Sequence, residues 1–179
     1  MDSQDCGPAS LKMVAKYFGR YYSLQYLRDK CGITKEGLSL LDLSTGAEGI
    51  GLHTLAIKCT ITELVEKIPF PAIVFWNGNH FIVVYHADSK HVWVSDPTKG
   101  HVKYSHEEFR NGWYADGENI GVLLALEPTA DFSTSKEERK MQKNSFISIL
   151  KYFAPYKNNF GLIFFIMMVV TLLQGILPF

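Results

Sequence analysis

The stretch Ala72-Ile73-Val74-Phe75-Trp76-Asn77-Gly78-Asn79-His80-Phe81-Ile82-Val83-Val84-Tyr85 constrains the fold most. Two apolar runs rich in β-branched and aromatic residues flank Asn-Gly, the strongest short-range signal for a β-hairpin. Asp88-Ser89 marks a second turn before a third strand, Val92-Trp93-Val94. Asp96-Pro97-Thr98-Lys99-Gly100 reads as a loop, Val102 to Tyr104 as a short extended segment, and Gly121 to Leu126 as a last apolar strand. Ser105-His106-Glu107-Glu108 is a capping box that opens a short helix.

The residues before the hairpin follow a helical period. Leu11, Val14, Ala15 and Phe18 form one buried face, with Pro8 at the first helical position and Gly19 as the stop. Ser23 caps a second helix that carries Leu24, Leu27 and Cys31 on one side and closes at Gly32. Ser39 to Glu48 predicts a third helix, ended near Gly49 and Gly51, and residues 52–58 a strand. Thr62 is the predicted cap of a short helix through Lys67, broken by Pro69 and Pro71. Helices first and an antiparallel sheet second predict an α+β domain over residues 1–127.

The rest of the chain is of another kind. Pro128 to Asn144 is polar and reads as a linker, and Phe146, Ile149, Leu150 and Phe153 predict an amphipathic helix on a membrane surface, completing a connecting segment over 128–159. Phe160 to Phe179 is a run of twenty residues without a charge, long enough at about 1.5 Å per residue to span a bilayer as a first transmembrane helix. Arg139, Lys140, Lys143, Lys151 and Lys157 precede it and no acidic residue follows Glu138, so the positive-inside rule places the domain in the cytoplasm. The run ends without a polar flank, as a piece of a longer membrane protein would. The 18 basic and 18 acidic side chains balance, which gives no argument for a nucleic-acid partner. Cys6, Cys31 and Cys59 are odd in number and widely spaced, without zinc-ligand spacing, which favours a reducing compartment and no metal. No apolar h-region lies within residues 1–30.

Cys6 stands where the first helix begins. Unpaired N–H groups and the helix dipole stabilise a thiolate there, so a lowered thiol pKa is expected. A small buried cysteine that only packs fits the same position. A cysteine nucleophile needs a base and the base an orienting group. If the turn after the hairpin is centred near residue 88, paired residue numbers sum to 176 and His80 lies opposite Asp96, on the same face of the sheet. A slip by one residue would separate them. Asp88 is the rival acid, at the far end of the strand; His53, His86, His91, His101 and His106 have plainer surface readings. Gln4, two residues ahead of Cys6, is the candidate oxyanion donor alongside the Cys6 N–H, although a solvated glutamine fits the same spacing.

Four blocks, SQDCGPASLKMVAKYFG, EGLSLLDLSTGAEGIGLHTLAIK, FPAIVFWNGNHFIVVY and VWVSDPTKG, resemble in order those of the cysteine peptidase domain of peptidase-containing ABC transporters, bacterial exporters of bacteriocins and related peptides. The resemblance covers residues 1 to about 127. It implies a papain-like fold at the cytosolic N-terminus of a half-transporter in the bacterial inner membrane. It implies Cys6 as nucleophile, His80 as general base, Asp96 as its orienter and Gln4 as oxyanion donor. The implied partner is a precursor peptide cut after a double-glycine leader, and the implied assembly a homodimer. The chain needs no cofactor itself and has no GxxxxGK[ST] phosphate loop, so ATP and Mg²⁺ are expected to bind beyond residue 179. A substrate-tethering domain that does not cut is the rival reading, and a cysteine acyltransferase or amidase a third.

Overall fold

The computed structural model describes residues 5–32, 37–114, 118–134 and 167–172. The chain divides into two units, Met1–Glu138 and Arg139–Phe179. The first holds α1 (Cys6–Tyr17), α2 (Leu24–Cys31), α3 (Leu40–Glu48), β1 (Leu52–Cys59), α4 (Ile61–Lys67), β2 (Ala72–Trp76), β3 (His80–Ala87), β4 (His91–Asp96), β5 (Gly100–Ser105), α5 (His106–Trp113), β6 (Gly121–Pro128) and α6 (Ala130–Thr134). Four helices start at a hydroxyl. The Ser23 side chain accepts from the Tyr26 N–H, while Ser39, Thr60 and Ser105 form reciprocal capping boxes with Asp42, Glu63 and Glu108. Two helix starts differ from the sequence reading. Thr60 and not Thr62 caps α4, because only Thr60 has an acidic residue three positions on to return the bond. Helix α1 begins at Cys6, which puts Pro8 third in the helix; its missing N–H is still one that the first turn leaves without an intrahelical partner.

The six strands form one antiparallel sheet in the order β1-β6-β2-β3-β4-β5. The last strand is inserted between the first and the second, pairing with β1 from Leu52↔Pro128 to Cys59↔Gly121. Strand alternation then builds two cores. Ile73, Phe81, Val83, Leu124 and Leu126 face α1, α2 and α3 and join Leu11, Val14, Leu27, Cys31 and Leu43. Val74, Ile82, Val84, Val94 and Leu123 pack with Leu64 of α4 and Phe109 and Trp113 of α5. The compact unit runs on past residue 127, where the sequence predicts the polar linker: Phe132 of α6 is buried at 2 % exposure and meets the Phe18 ring edge-on.

The β3–β4 ladder carries a bulge. Ala87↔Val92 and His86↔Trp93 pair next to the turn, Tyr85 is left over, and Val84↔Val94 and Val83↔Ser95 pair beyond it. Paired numbers therefore sum to 179 near the turn and to 178 further out. An odd sum continued along the ladder would have put His80 and Asp96 on opposite faces. The bulge returns the sum to an even value and puts them on one face. The sequence reading of 176 had the parity right and the offset wrong: His80 and Asp96 are diagonal neighbours, with Asp96 in line with Ile82.

Helix α1 docks where β4 leaves off. Beyond Val83↔Ser95 the outer edge of β3 has no ladder partner, and the Ser10 hydroxyl donates to the Phe81 carbonyl at 3.0 Å. Gly7 leaves room for Leu38 against the first turn of α1, where a Cβ would fall 2.1 Å from Leu38 Cδ2. In the second unit residues 167–172 are helical, and the Thr171 hydroxyl donates back to the Met167 carbonyl at 2.8 Å. The amphipathic helix over 146–153, the basic run and the remainder of the expected span over 160–179 lie outside the described residues. Among the described residues no helix is long and apolar enough to cross a membrane.

Replacing Ser10 by alanine leaves the buried Phe81 carbonyl without its hydroxyl donor. Chemical denaturation is expected to show a loss of about 1–3 kcal/mol, with the m-value unchanged.

Candidate active site

The end of the β3–β4 ladder brings together an imidazole and a carboxylate. His80 Nε2 lies 2.9 Å from Asp96 Oδ1. The same carboxylate oxygen accepts from the Thr98 N–H at 2.8 Å and the Thr98 hydroxyl at 2.7 Å. The Asp-Pro-Thr turn thus fixes the acid before the histidine reaches it, and Asp96↔Gly100 closes the turn onto β5. Asp96 is 2 % exposed. Burial pushes its pKa up, but the bonds from His80 and Thr98 outweigh burial and hold it below the ordinary 3.8. With Nε2 taken by the carboxylate, Nδ1 is the ring nitrogen that can exchange a proton with a reacting group.

Cys6 is the first residue of α1 and only 5 % exposed. The backbone N–H groups of Phe81, Gly7 and Cys6 itself lie near its sulfur and favour the thiolate. Phe81 directly follows His80, so one short segment of β3 supplies both the imidazole and a backbone contact to the sulfur. The expected lowering of the thiol pKa is not found. Burial pushes the thiol above its ordinary 9.0, and the charge of Asp96 adds to that; the three N–H groups pull it down but do not prevail. The helix N-terminus reduces the cost of ionising Cys6 without removing the cost that burial imposes. Cys31 and Cys59 are buried apolar thiols, each raised to about 11 chiefly by desolvation.

The other candidates separate from this centre. Asp88 spends its carboxylate on the N–H groups of Lys90 and His91 at the turn, and His106 Nε2 contacts the Asp88 carbonyl at 2.8 Å. Gln4 lies outside the described residues. Sequence reasoning missed a cleft of about 540 Å³ between α1 and the sheet, lined among others by Met13 and Tyr17 of α1 with Val83, Tyr85, Ser95 and His101 of β3, β4 and β5. Its only signal was the alternation that turns Val83, Tyr85 and Ser95 toward the helix side. The Ser95 hydroxyl donates to Met13 Sδ at 3.3 Å, and Tyr85 meets His101 edge-on.

Asp96→Asn keeps the shape and removes the charge. Its turnover on any substrate that needs the histidine is expected to fall by roughly 10²–10⁴-fold. The depressed Asp96 pKa also contributes stability that is present above pH 3.8 and lost as pH falls through the folded-state value. Acid titration of unfolding is expected to show a shallower slope below pH 4 for Asp96→Asn than for the parent chain.

The model of the peptidase C39 family matches residues 1–129. The transport/processing ATP-binding protein ComA of Streptococcus pneumoniae is 36 % identical over 157 residues, which are 84 % of this chain and 20 % of that protein. The lactococcin-G-processing and transport ATP-binding protein LagD of Lactococcus lactis is 29 % identical over 167 residues, 90 % of this chain and 23 % of that protein. Among solved structures, a double glycine motif protease from an AMS/PCAT transporter, in complex with its leader peptide, superposes with a TM-score of 0.66 at 32 % identity, covering 72 % of this chain and 88 % of that one. The peptidase domain of Streptococcus ComA, a bifunctional ABC transporter, gives 0.63 at 29 % identity, with 72 % and 95 % covered. The chain spans about a fifth of the length of these curated relatives. A helix that starts at a cysteine, a histidine–aspartate pair at a strand end and a family match over residues 1–129 agree: the chain belongs to the peptidase C39 family.

Proposed function

We propose that this chain is the processing domain of a peptide exporter, a cysteine peptidase that cuts a leader from its cargo after a double glycine. The observation that carries this is the fixed His80–Asp96 pair beside the strand segment that contacts the Cys6 sulfur. Cys6 begins as a thiol. His80, held by Asp96, takes its proton as the sulfur attacks the carbonyl of the second glycine. As negative charge passes from the sulfur to the substrate oxygen, the Cys6 N–H is the proposed backbone donor to the oxyanion and Gln4 the proposed side-chain donor. His80 then gives the proton to the leaving amine, and water, deprotonated by the same ring, hydrolyses the thioester. The low exposure of Cys6 and the position of Leu38 over Gly7 favour a substrate without side chains at the cut.

The cleft beside α1 suits the leader's apolar face. Met13 is seven residues beyond Cys6, about 10 Å along the helix axis. Three extended residues cover that distance at about 3.3 Å each, so a leader helix ending three or four residues before the cut reaches the cleft. Helix-in-groove docking supplies the affinity and the glycines supply access. Beyond residue 179 the transporter adds its membrane part and a nucleotide-binding domain for ATP and Mg²⁺, and the chains pair as a homodimer at the bacterial inner membrane with this domain in the cytoplasm. Residues 1–127 are the peptidase, 128–159 the connection and 160–179 the first membrane helix.

A synthetic precursor with a helical leader and a Gly-Gly junction, incubated with the purified chain and read by mass spectrometry, is expected to give one cut after the second glycine. Cys6→Ala and His80→Ala abolish it, and Asp88→Ala does not. Binding without any cut would favour the tethering reading. Tyr17→Ala, at a position that is 64 % exposed, is expected to raise KM about tenfold with kcat unchanged, equivalent to roughly 1.4 kcal/mol of leader binding. Gln4→Ala with an unchanged kcat would leave the oxyanion to the backbone N–H groups alone.

A further inference from the structure

Asp5 precedes Cys6 at the N-cap of α1, where an aspartate ordinarily accepts from the N–H of the second or third helical residue. It makes no such bond here, although it is only 7 % exposed. The third helical residue is Pro8, which has no N–H, so the N–H groups of Gly7 and Cys6 are the ones within a capping carboxylate's reach. Both are directed at the Cys6 sulfur instead. The Asp5 carboxylate is occupied elsewhere: Oδ1 accepts from Arg28 Nε at 2.7 Å and Oδ2 from Arg28 Nη2, a two-pronged fork. Arg28 is carried by α2, whose ends are fixed by the Ser23 cap and the left-handed Gly32.

A loose carboxylate at this position would impair the nucleophile in two ways. It would rotate onto the first turn and take the Gly7 N–H from the sulfur, and it would oppose a second negative charge close by. We propose that Arg28 is a positioning residue for the nucleophile: its fork holds the Asp5 carboxylate off the first turn of α1 and leaves the N–H groups of Cys6 and Gly7 to the thiolate. Among the described residues, the other charged or titratable groups near the sulfur are His80 on β3 and Asp96 on β4. On the elements packed against α1, Asp29 of α2 accepts from Gln25, Asp42 and Glu48 of α3 are bonded to Ser39 and Thr54, and β2 carries no charge.

The test reads the thiol itself and needs no peptide substrate, so failure of the leader-processing reading would leave it standing. The rate of iodoacetamide alkylation at Cys6 is followed against pH in the full chain, with the adduct located by peptide mapping. Arg28→Gln is expected to raise the midpoint by about one pH unit. Arg28→Lys, a point charge that grips one oxygen, is expected to fall between. The deciding variant is Asp5→Ala/Arg28→Gln, in which no carboxylate remains to compete; the midpoint is expected to return close to that of the parent. A residue that only braces the fold gives the opposite order, with the double variant no better than the single one. If circular dichroism shows Arg28→Gln unfolded, the comparison is made between Arg28→Lys and Asp5→Ala/Arg28→Lys. An unmoved midpoint in a folded single variant, or no return in the double variant, would overturn the proposal.

Discussion

The β3–β4 register decides whether this chain has an active site. His80 and Asp96 are sixteen residues apart, and a single slip would turn them to opposite faces of the sheet. The bulge at Tyr85 absorbs one residue between the turn and the histidine, so that an odd pairing near the turn becomes an even one at the catalytic end. The early end of β4 matters as much. It leaves Phe81 without a ladder partner on the β4 side, and α1 takes that edge over through Ser10 and the Cys6 sulfur. Cys6 is therefore referenced to the strand that carries His80, and His80 to the turn that carries Asp96.

Electrostatically the site holds two opposed tendencies in balance. Burial and the nearby Asp96 charge keep Cys6 protonated, while three backbone N–H groups favour the thiolate. A buried neutral thiol is protected from adventitious chemistry, and under the proposed mechanism it is ionised only when a base takes its proton. Asp96 bears a similar conflict with the opposite outcome: burial raises its pKa, three donors on one oxygen lower it further, and the carboxylate stays charged beneath the imidazole. What distinguishes the two is the kind of donor, since Asp96 receives a side-chain hydroxyl and an imidazole in addition to an amide.

Much of this was legible in the residues. Ser23, Ser39 and Ser105 start helices as their chemistry requires, and Asn77-Gly78 makes the hairpin with both residues at positive φ. That His80 and Asp96 share a face followed from strand parity, although their direct pairing did not hold. Three features were not legible. The insertion of β6 between β1 and β2 is a long-range choice that no local pattern encodes. The bulge looks like any other strand residue, because Tyr85 suits a regular strand as well as a bulged one. The raised Cys6 pKa depends on how deeply the first turn of α1 is covered by Leu38 and β3, and helix-terminus reasoning alone sees only the stabilising half. Resemblance to known peptidase domains added an expected role for each group, which spacing alone does not assign.

The most direct test of the central claim uses a peptide aldehyde ending in Gly-Gly. Such a probe forms a thiohemiacetal with an activated cysteine and mimics the tetrahedral intermediate. Borohydride reduction followed by mass mapping reports which of Cys6, Cys31 and Cys59 was attacked. A cysteine nucleophile served by His80 predicts one adduct, on Cys6, whose rate of formation collapses in His80→Ala. Labelling spread over the three cysteines, or an undiminished Cys6 rate without His80, would contradict it.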